Sequence, residues 1–350
     1  MWTITEPLHL IRYLLVWKVN RKMVRLPHCL PVDLSRVLGT LIAERLPTRE
    51  AQPWRKALSK WEGYDNRDAR APRSRDGHKP RPEPGQREKN SPVPQASWPI
   101  ETVLFAYPGK HIYGQGEHIL WELKMVGASA DHGLFLEVIL PAMEEASTTT
   151  DPRWAHPNSL WGGFDIQAIY AARGRHWEPV ASDGKLDLRQ RVRPNQWAEG
   201  LTFTSDAERV LDQLSWPTGF DLAPRHGDAG AAKAGTAHGA KRAPDLAQIL
   251  EALAARLMAF VPGKHLATAD MGQFLSPDDQ TQLRGAIEQA AEFPVIRQQI
   301  EPVPRGWPGQ WGGSQKFLVI PDPIVPYLEL ASILHIGRQT HFGCGTFILK

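Results

Sequence analysis

The chain has 350 residues, 42% of them hydrophobic, and 41 Lys and Arg against 38 Asp and Glu give a formal charge of +3. That length predicts two domains with ample core, and the near-balanced charge means that any nucleic-acid surface must be local. Its two cysteines, Cys29 and Cys344, exclude a disulfide framework or a CxxC metal site and suit a reducing cytoplasm. The apolar run 14–17, flanked by Arg12 and Lys18, is too short to span a bilayer. A cytoplasmic protein without signal peptide or membrane partner is expected.

In chain order, 9–19 is rich in Leu, Val, Tyr and Trp and predicts a strand. A basic loop with Arg21, Lys22, Arg25 and His28 follows. Asp33 is then placed to cap a helix whose Leu34, Val37, Leu38, Leu41 and Ile42 share one face, and Pro47 should end it. From 65 to 90 the chain is Pro-rich, with eight basic and five acidic residues and almost nothing apolar, so it cannot bury a core of its own. It reads as a linker, or as a basic arm that orders on RNA. A strand at 98–105, a turn-rich loop at 107–116, an alternating strand at 118–126, a helix at 133–143 and a glycine-led strand at 159–170 complete the first half. Strand, helix, two strands, helix, strand is a βαββαβ ferredoxin-like order.

The second half repeats the plan. Candidate strands lie at 185–193 and 201–204. A Gly/Ala-rich loop at 221–244 ends in Lys241 and Arg242. Asp245 opens a helix with Leu246, Ile249, Leu250, Leu253 and Leu257 on one side, and Ser276-Pro277 opens another. Strands at 294–300 and 311–320 precede an apolar helix at 323–335. The expected class is therefore α+β, two tandem ferredoxin-like (RRM-like) domains, 1–180 and 181–350.

The chain ends in Ile336-Gly-Arg-Gln-Thr-His-Phe-Gly-Cys-Gly-Thr-Phe-Ile-Leu-Lys350. Gly337 stands where a helix exit favours the left-handed conformation. Gly343 and Gly345 bracket Cys344 and carry little bulk, so a phosphate backbone could come close. Arg338 and His341 add cationic or hydrogen-bonding groups beside those amides. Strand, leucine-rich helix, glycine loop and terminal strand, in that order, resemble the C-terminus of the CRISPR-associated RAMP proteins. More narrowly, they resemble the endoribonucleases that process precursor CRISPR RNA, with the type IV branch a possible match. The strand opening Tyr113-Gly-Gln-Gly-Glu-His and running to Gly127 is similar to a further stretch of that family.

The resemblance implies a metal-independent RNA cut with no cofactor. A ribose 2′-hydroxyl attacks the adjacent phosphate and leaves a 2′,3′-cyclic phosphate. Such chemistry needs a group for the 2′-hydroxyl proton and cations for the phosphorane charge. The family's catalytic groups come from the first strand-to-helix loop and helix, facing the glycine loop across a groove. Here that region offers His28, the orthodox base at neutral pH, and Arg21 and Arg36, whose planar forks suit phosphate charge. Arg36 is expected in the first helical turn, where a bound phosphate would offset its clash with the macrodipole. Arg25, Lys241, Arg242, Gly337, Arg338, His341, Gly343 and Gly345 are the expected RNA contacts. Trp161, Trp307 or Trp311, beside glycines, could stack on bases. His111, His118 and His132 read as surface or satisfied histidines.

The implied partners are the CRISPR repeat stem-loop, the mature guide RNA and subunits of an effector complex. The alternative reading is a non-catalytic RNA-binding subunit of the same fold. A general RRM-like binder lacks support, because no string of RNP1-like aromatics is visible.

Overall fold

The computed structural model describes residues 2–61, 97–182, 184–187, 189–201, 210–222, 243–261 and 275–350. The linker 65–90, loop residues 223–242 with Lys241 and Arg242, and the candidate strand 202–204 lie outside the described residues.

Strand β1 (Leu10–Val19) alternates between two environments, as its sequence demands. Ile11, Tyr13, Leu15, Trp17 and Val19 enter the first core, whereas Leu10 enters the second. β1 pairs antiparallel with β5 (His118–Val126) on one side and β6 (Phe164–Arg173) on the other. β3 (Thr102–Ala106) lies beyond β5, and β7 (His176–Ser182) and β8 (Lys185–Leu186) extend the sheet beyond β6. Helix α1 (Leu30–Arg45) joins β1 to β3. The short helix α3 (His132–Leu134) runs through a π-helical stretch, Phe135–Ile139, into α4 (Leu140–Thr148) and joins β5 to β6. The spatial order β3-β5-β1-β6 with both connections helical is the βαββαβ arrangement.

The same arrangement recurs. β9 (Gln213–Phe220), β10 (Val295–Pro302), β11 (Trp311–Phe317) and β12 (Ile348–Leu349) order as β10-β11-β9-β12, which places β9 where β1 stands in the first sheet. Helix α5 (Leu246–Leu257) starts with a reciprocal capping box between Asp245 and Gln248. Ser276 caps α6 (Pro277–Ala290) through the Asp279 N–H. Helix α7 (Val325–Leu334) leads to the terminal glycine loop.

Several boundaries differ from expectation. α1 begins at Leu30, one turn before Asp33, because Pro31 can occupy the first turn without a missing donor. Pro47 does not simply end it; it starts a further helix, α2 (Thr48–Leu58). The stretch expected as a strand over 185–193 is a strand only at Lys185–Leu186, and it belongs to the first sheet. No described helix is long and apolar enough to cross a membrane.

The second face of the first sheet meets the other half through polar groups. Glu122 accepts from Arg12 Nε at 2.6 Å, and Lys124 Nζ stands 3.9 Å from Glu122. Lys124 Nζ also donates to the Ile333 carbonyl at 2.6 Å, and Arg256 Nε donates to that of Leu334 at 3.2 Å. Two buried cations thus satisfy the last carbonyls of α7, where the macrodipole is negative. Desolvation lowers the Lys124 pKa to about 7, against the pull of Glu122.

Candidate RNA-cleavage groove

The glycine loop is built inward. Gly337, Gly343 and Gly345 have φ of 86°, 76° and 81°, so each needs the left-handed region. A Cβ on Gly345 would lie 1.8 Å from the Ile336 carbonyl oxygen, and one on Gly343 would lie 2.7 Å from that of Leu104. The close approach these glycines permit is therefore to the chain's own backbone, which corrects the expectation of an open phosphate cradle. Gly345 N–H donates to Gly219 O at 3.0 Å, and Thr218 Oγ donates to Gly343 O at 2.8 Å. His335 Nδ1–H reaches the Gly343 and Cys344 carbonyls, both at 3.2 Å.

His341, expected at the RNA surface, is buried. Its Nδ1–H donates to the Thr102 carbonyl at 3.2 Å with Thr102 Oγ1 3.0 Å away, and its Nε2 accepts from Ser35 Oγ at 2.8 Å. Burial pushes its pKa down to about 4. It is a neutral peg that ties the loop to α1 and β3. Of the loop's expected contacts, Arg338 stays exposed, its N–H donating to Asp221 O at 2.9 Å.

Between the two halves lies a cavity of about 220 Å³. The first half contributes loop 26–31 and loop 106–113; the second contributes Pro217, Thr218, Gly219, Trp307, Pro308 and Phe342 of the glycine loop. A three-residue ladder between β2 (Met23–Arg25) and β4 (Ile112–Gly114) sets the two loops in register. Just past it, Leu26 N–H donates to His111 O at 2.8 Å. That brings His28 and His111, both exposed, to a ring-centroid separation of 6.5 Å at 60°. Lys110 is on the same rim, paired with Glu117 and 5.2 Å over the Tyr113 ring. Cys29 also lines the cavity, but desolvation pushes its thiol up to about 12, so it is neither nucleophile nor ligand.

The arginines gather elsewhere, around segment 154–163. Since α1 starts at Leu30, Arg36 falls in its second turn, where the macrodipole argument for a bound phosphate no longer applies. Its guanidinium bonds Asp33 at 3.0 Å and lies 5.1 Å over the Trp154 ring. The other Asp33 oxygen accepts from Trp161 Nε1 at 2.9 Å, which makes Trp161 a core residue and not a stacking platform. Arg21 lies along Gly162 and Gly163, its Nη2 3.2 Å from where a Gly162 Cβ would stand. Arg25 is exposed on β2, with its N–H on Asn158 O at 2.8 Å. Loop 26–31 and the glycine loop do share a groove, and of the three catalytic candidates it is His28 that lines it.

His111 is a surface histidine, as the sequence reading expected, but its place on the cavity rim beside His28 was not foreseen. Nothing in 107–116 marks it, because a three-residue ladder is too short for a period-2 signal. His132, by contrast, is satisfied by the Tyr13 hydroxyl at 2.7 Å. Among the described residues no group of three His, Cys, Asp or Glu could hold a metal ion.

No protein-family model and no curated protein matches the chain. Among solved structures, a chain of a partial Cas6-RT-Cas1–Cas2 complex matches at 12% identity and TM-score 0.47. The match covers 98% of this chain and 46% of that one, so the present chain spans less than half the length of that relative. A Cas6 product complex matches at 16% identity and TM-score 0.44, covering 98% of this chain and 99% of that one. A CRISPR-associated protein Cas6 matches at 9% identity and TM-score 0.32, covering 97% and 99%. These are likenesses of outline between α+β chains.

Proposed function

We propose that this chain is an endoribonuclease that cleaves CRISPR repeat RNA at the groove, with His28 and His111 as its proton-transfer pair. The observation that carries the reading is the convergence of these two imidazoles with the glycine loop's Phe342 on one cavity. With centroids 6.5 Å apart on one rim, both imidazoles can reach a single phosphodiester seated beside them at the cavity mouth. His28 takes the ribose 2′-hydroxyl proton as O2′ bonds to phosphorus, and His111 gives a proton to the 5′ oxygen as its bond to phosphorus breaks. The products are a 2′,3′-cyclic phosphate and a 5′-hydroxyl, and no metal enters the balance. Lys110 on the rim and the exposed Arg25 and Arg338 supply positive charge for the RNA backbone. CRISPR repeat RNA as substrate, and retention of the guide RNA in an effector complex, rest on the resemblance of the C-terminal segment.

Single substitutions test it. His28→Ala and His111→Ala should each slow single-turnover cleavage by about 10²- to 10⁴-fold and leave hairpin affinity nearly intact. Arg36→Ala should lower stability and change the rate less than about tenfold, since Arg36 is engaged with Asp33 and Trp154. Full activity in both histidine variants, with loss in Arg21→Ala or Arg36→Ala, would move the chemistry to segment 154–163.

A further inference from the structure

The histidines occupy only the rim of the cavity; its interior is apolar and lacks an assigned occupant. We infer that it seats one unpaired nucleobase of the RNA, so that the groove recognises a base as well as holding a phosphate. This inference rests on the RNA reading of the groove. Four features argue for a base. Aromatic rings line the cavity from both halves, Tyr107 and Tyr113 on the wall of the first and Trp307 and Phe342 on that of the second. Prolines (Pro27, Pro31, Pro108, Pro217 and Pro308) supply much of the remaining lining, giving flat faces that neither compete for hydrogen bonds nor move. The volume of about 220 Å³ is below the range usual for drug-sized ligands and matches a single ring system. Finally, Lys110 and the two histidines line the same opening, so a nucleotide whose base enters has cationic and hydrogen-bonding groups beside its phosphate.

The two walls are backed differently. Tyr107 is fixed from behind: its hydroxyl reaches Glu122 at 3.4 Å and its ring packs edge-on against Phe105 at 5.0 Å. Trp307 is half-buried and packs against the small cluster of Cys29, Val32, Trp61 and Phe342. An indole lining an apolar cavity offers a base its π-face for stacking. A stem held by its backbone alone would need neither wall.

The test reads binding, so it does not depend on cleavage. Repeat RNA carrying a 2′-deoxyribose at each candidate cut is titrated against the full chain, and abasic residues are scanned through its unpaired positions. One abasic position is expected to weaken binding about tenfold or more, as loss of a base–aromatic stack does. Trp307→Ala should weaken intact RNA similarly and erase the abasic penalty, while Trp307→Phe restores both. If no abasic position matters, or if the penalty persists unchanged in Trp307→Ala and Tyr107→Ala, the base pocket is wrong. RNA that binds with the predicted abasic signature and is never cut would leave the pocket standing and remove the nuclease.

Discussion

At the residue scale, the histidines separate by what surrounds them. His28 and His111 face a cavity with exposed rings, whereas His341 has both ring nitrogens engaged inside the protein. The difference has a consequence for stability. The His341 pKa is about 4 in the fold and ordinarily 6.5, so between those values the unfolded chain binds a proton that the folded one does not. Stability therefore rises with pH across that window and falls on acidification. The shift corresponds to about 3 kcal/mol between pH 7 and pH 4. Denaturant unfolding of the wild type and His341→Gln as a function of pH should show a steeper acid loss in the wild type. Parallel curves would mean that His341 is not held neutral. Residue type alone suggested a surface ligand here; the burial follows from contacts with Ser35 and Thr102, far away in sequence, which no local pattern reveals.

At the element scale, the strands and helices with strong periodicity were readable. β1, β5, α5 and α6 stand close to where apolar spacing and caps place them, because their faces are wide and their ends carry Asp245 or Ser276. The β2–β4 ladder and α2 were not, since three residues carry no period and α2 contains Pro53. The glycine loop was recognisable as a loop, but the direction in which it packs was not. Its glycines turn toward the Ile336 and Leu104 carbonyls, not toward solvent. Gly345→Ala must move backbone to relieve a 1.8 Å contact at φ 81°. It is expected to destabilise the fold by more than about 2 kcal/mol, with cleavage lost along with it. Ala at Gly285, which has open space on α6, is the control and should be stabilising or neutral. Equal melting temperatures for the two variants would contradict the inward loop.

At the scale of the whole molecule, two βαββαβ halves are locked by α7, whose C-terminal carbonyls receive Lys124 from the first sheet and Arg256 from α5. The order of the first half was legible in the sequence. In the second half the opening strand β9 was not among the expected strands, the strand at 185–186 belongs to the first sheet, and two helices, α5 and α6, stand between β9 and β10. The groove was not legible either, since it exists only where loops 26–31 and 106–113 meet Pro217, Trp307 and Phe342. The lock has a purpose in this account: it holds the glycine loop against the first half, so that the histidine rim and the apolar cavity form one site. The direct test is to incubate the purified chain with end-labelled CRISPR repeat RNA in EDTA and to map both product ends. One cut leaving a 2′,3′-cyclic phosphate and a 5′-hydroxyl is the predicted result. Tight hairpin binding with no cut, in EDTA or after metal is added, would contradict the nuclease and leave an RNA-binding subunit of the same fold.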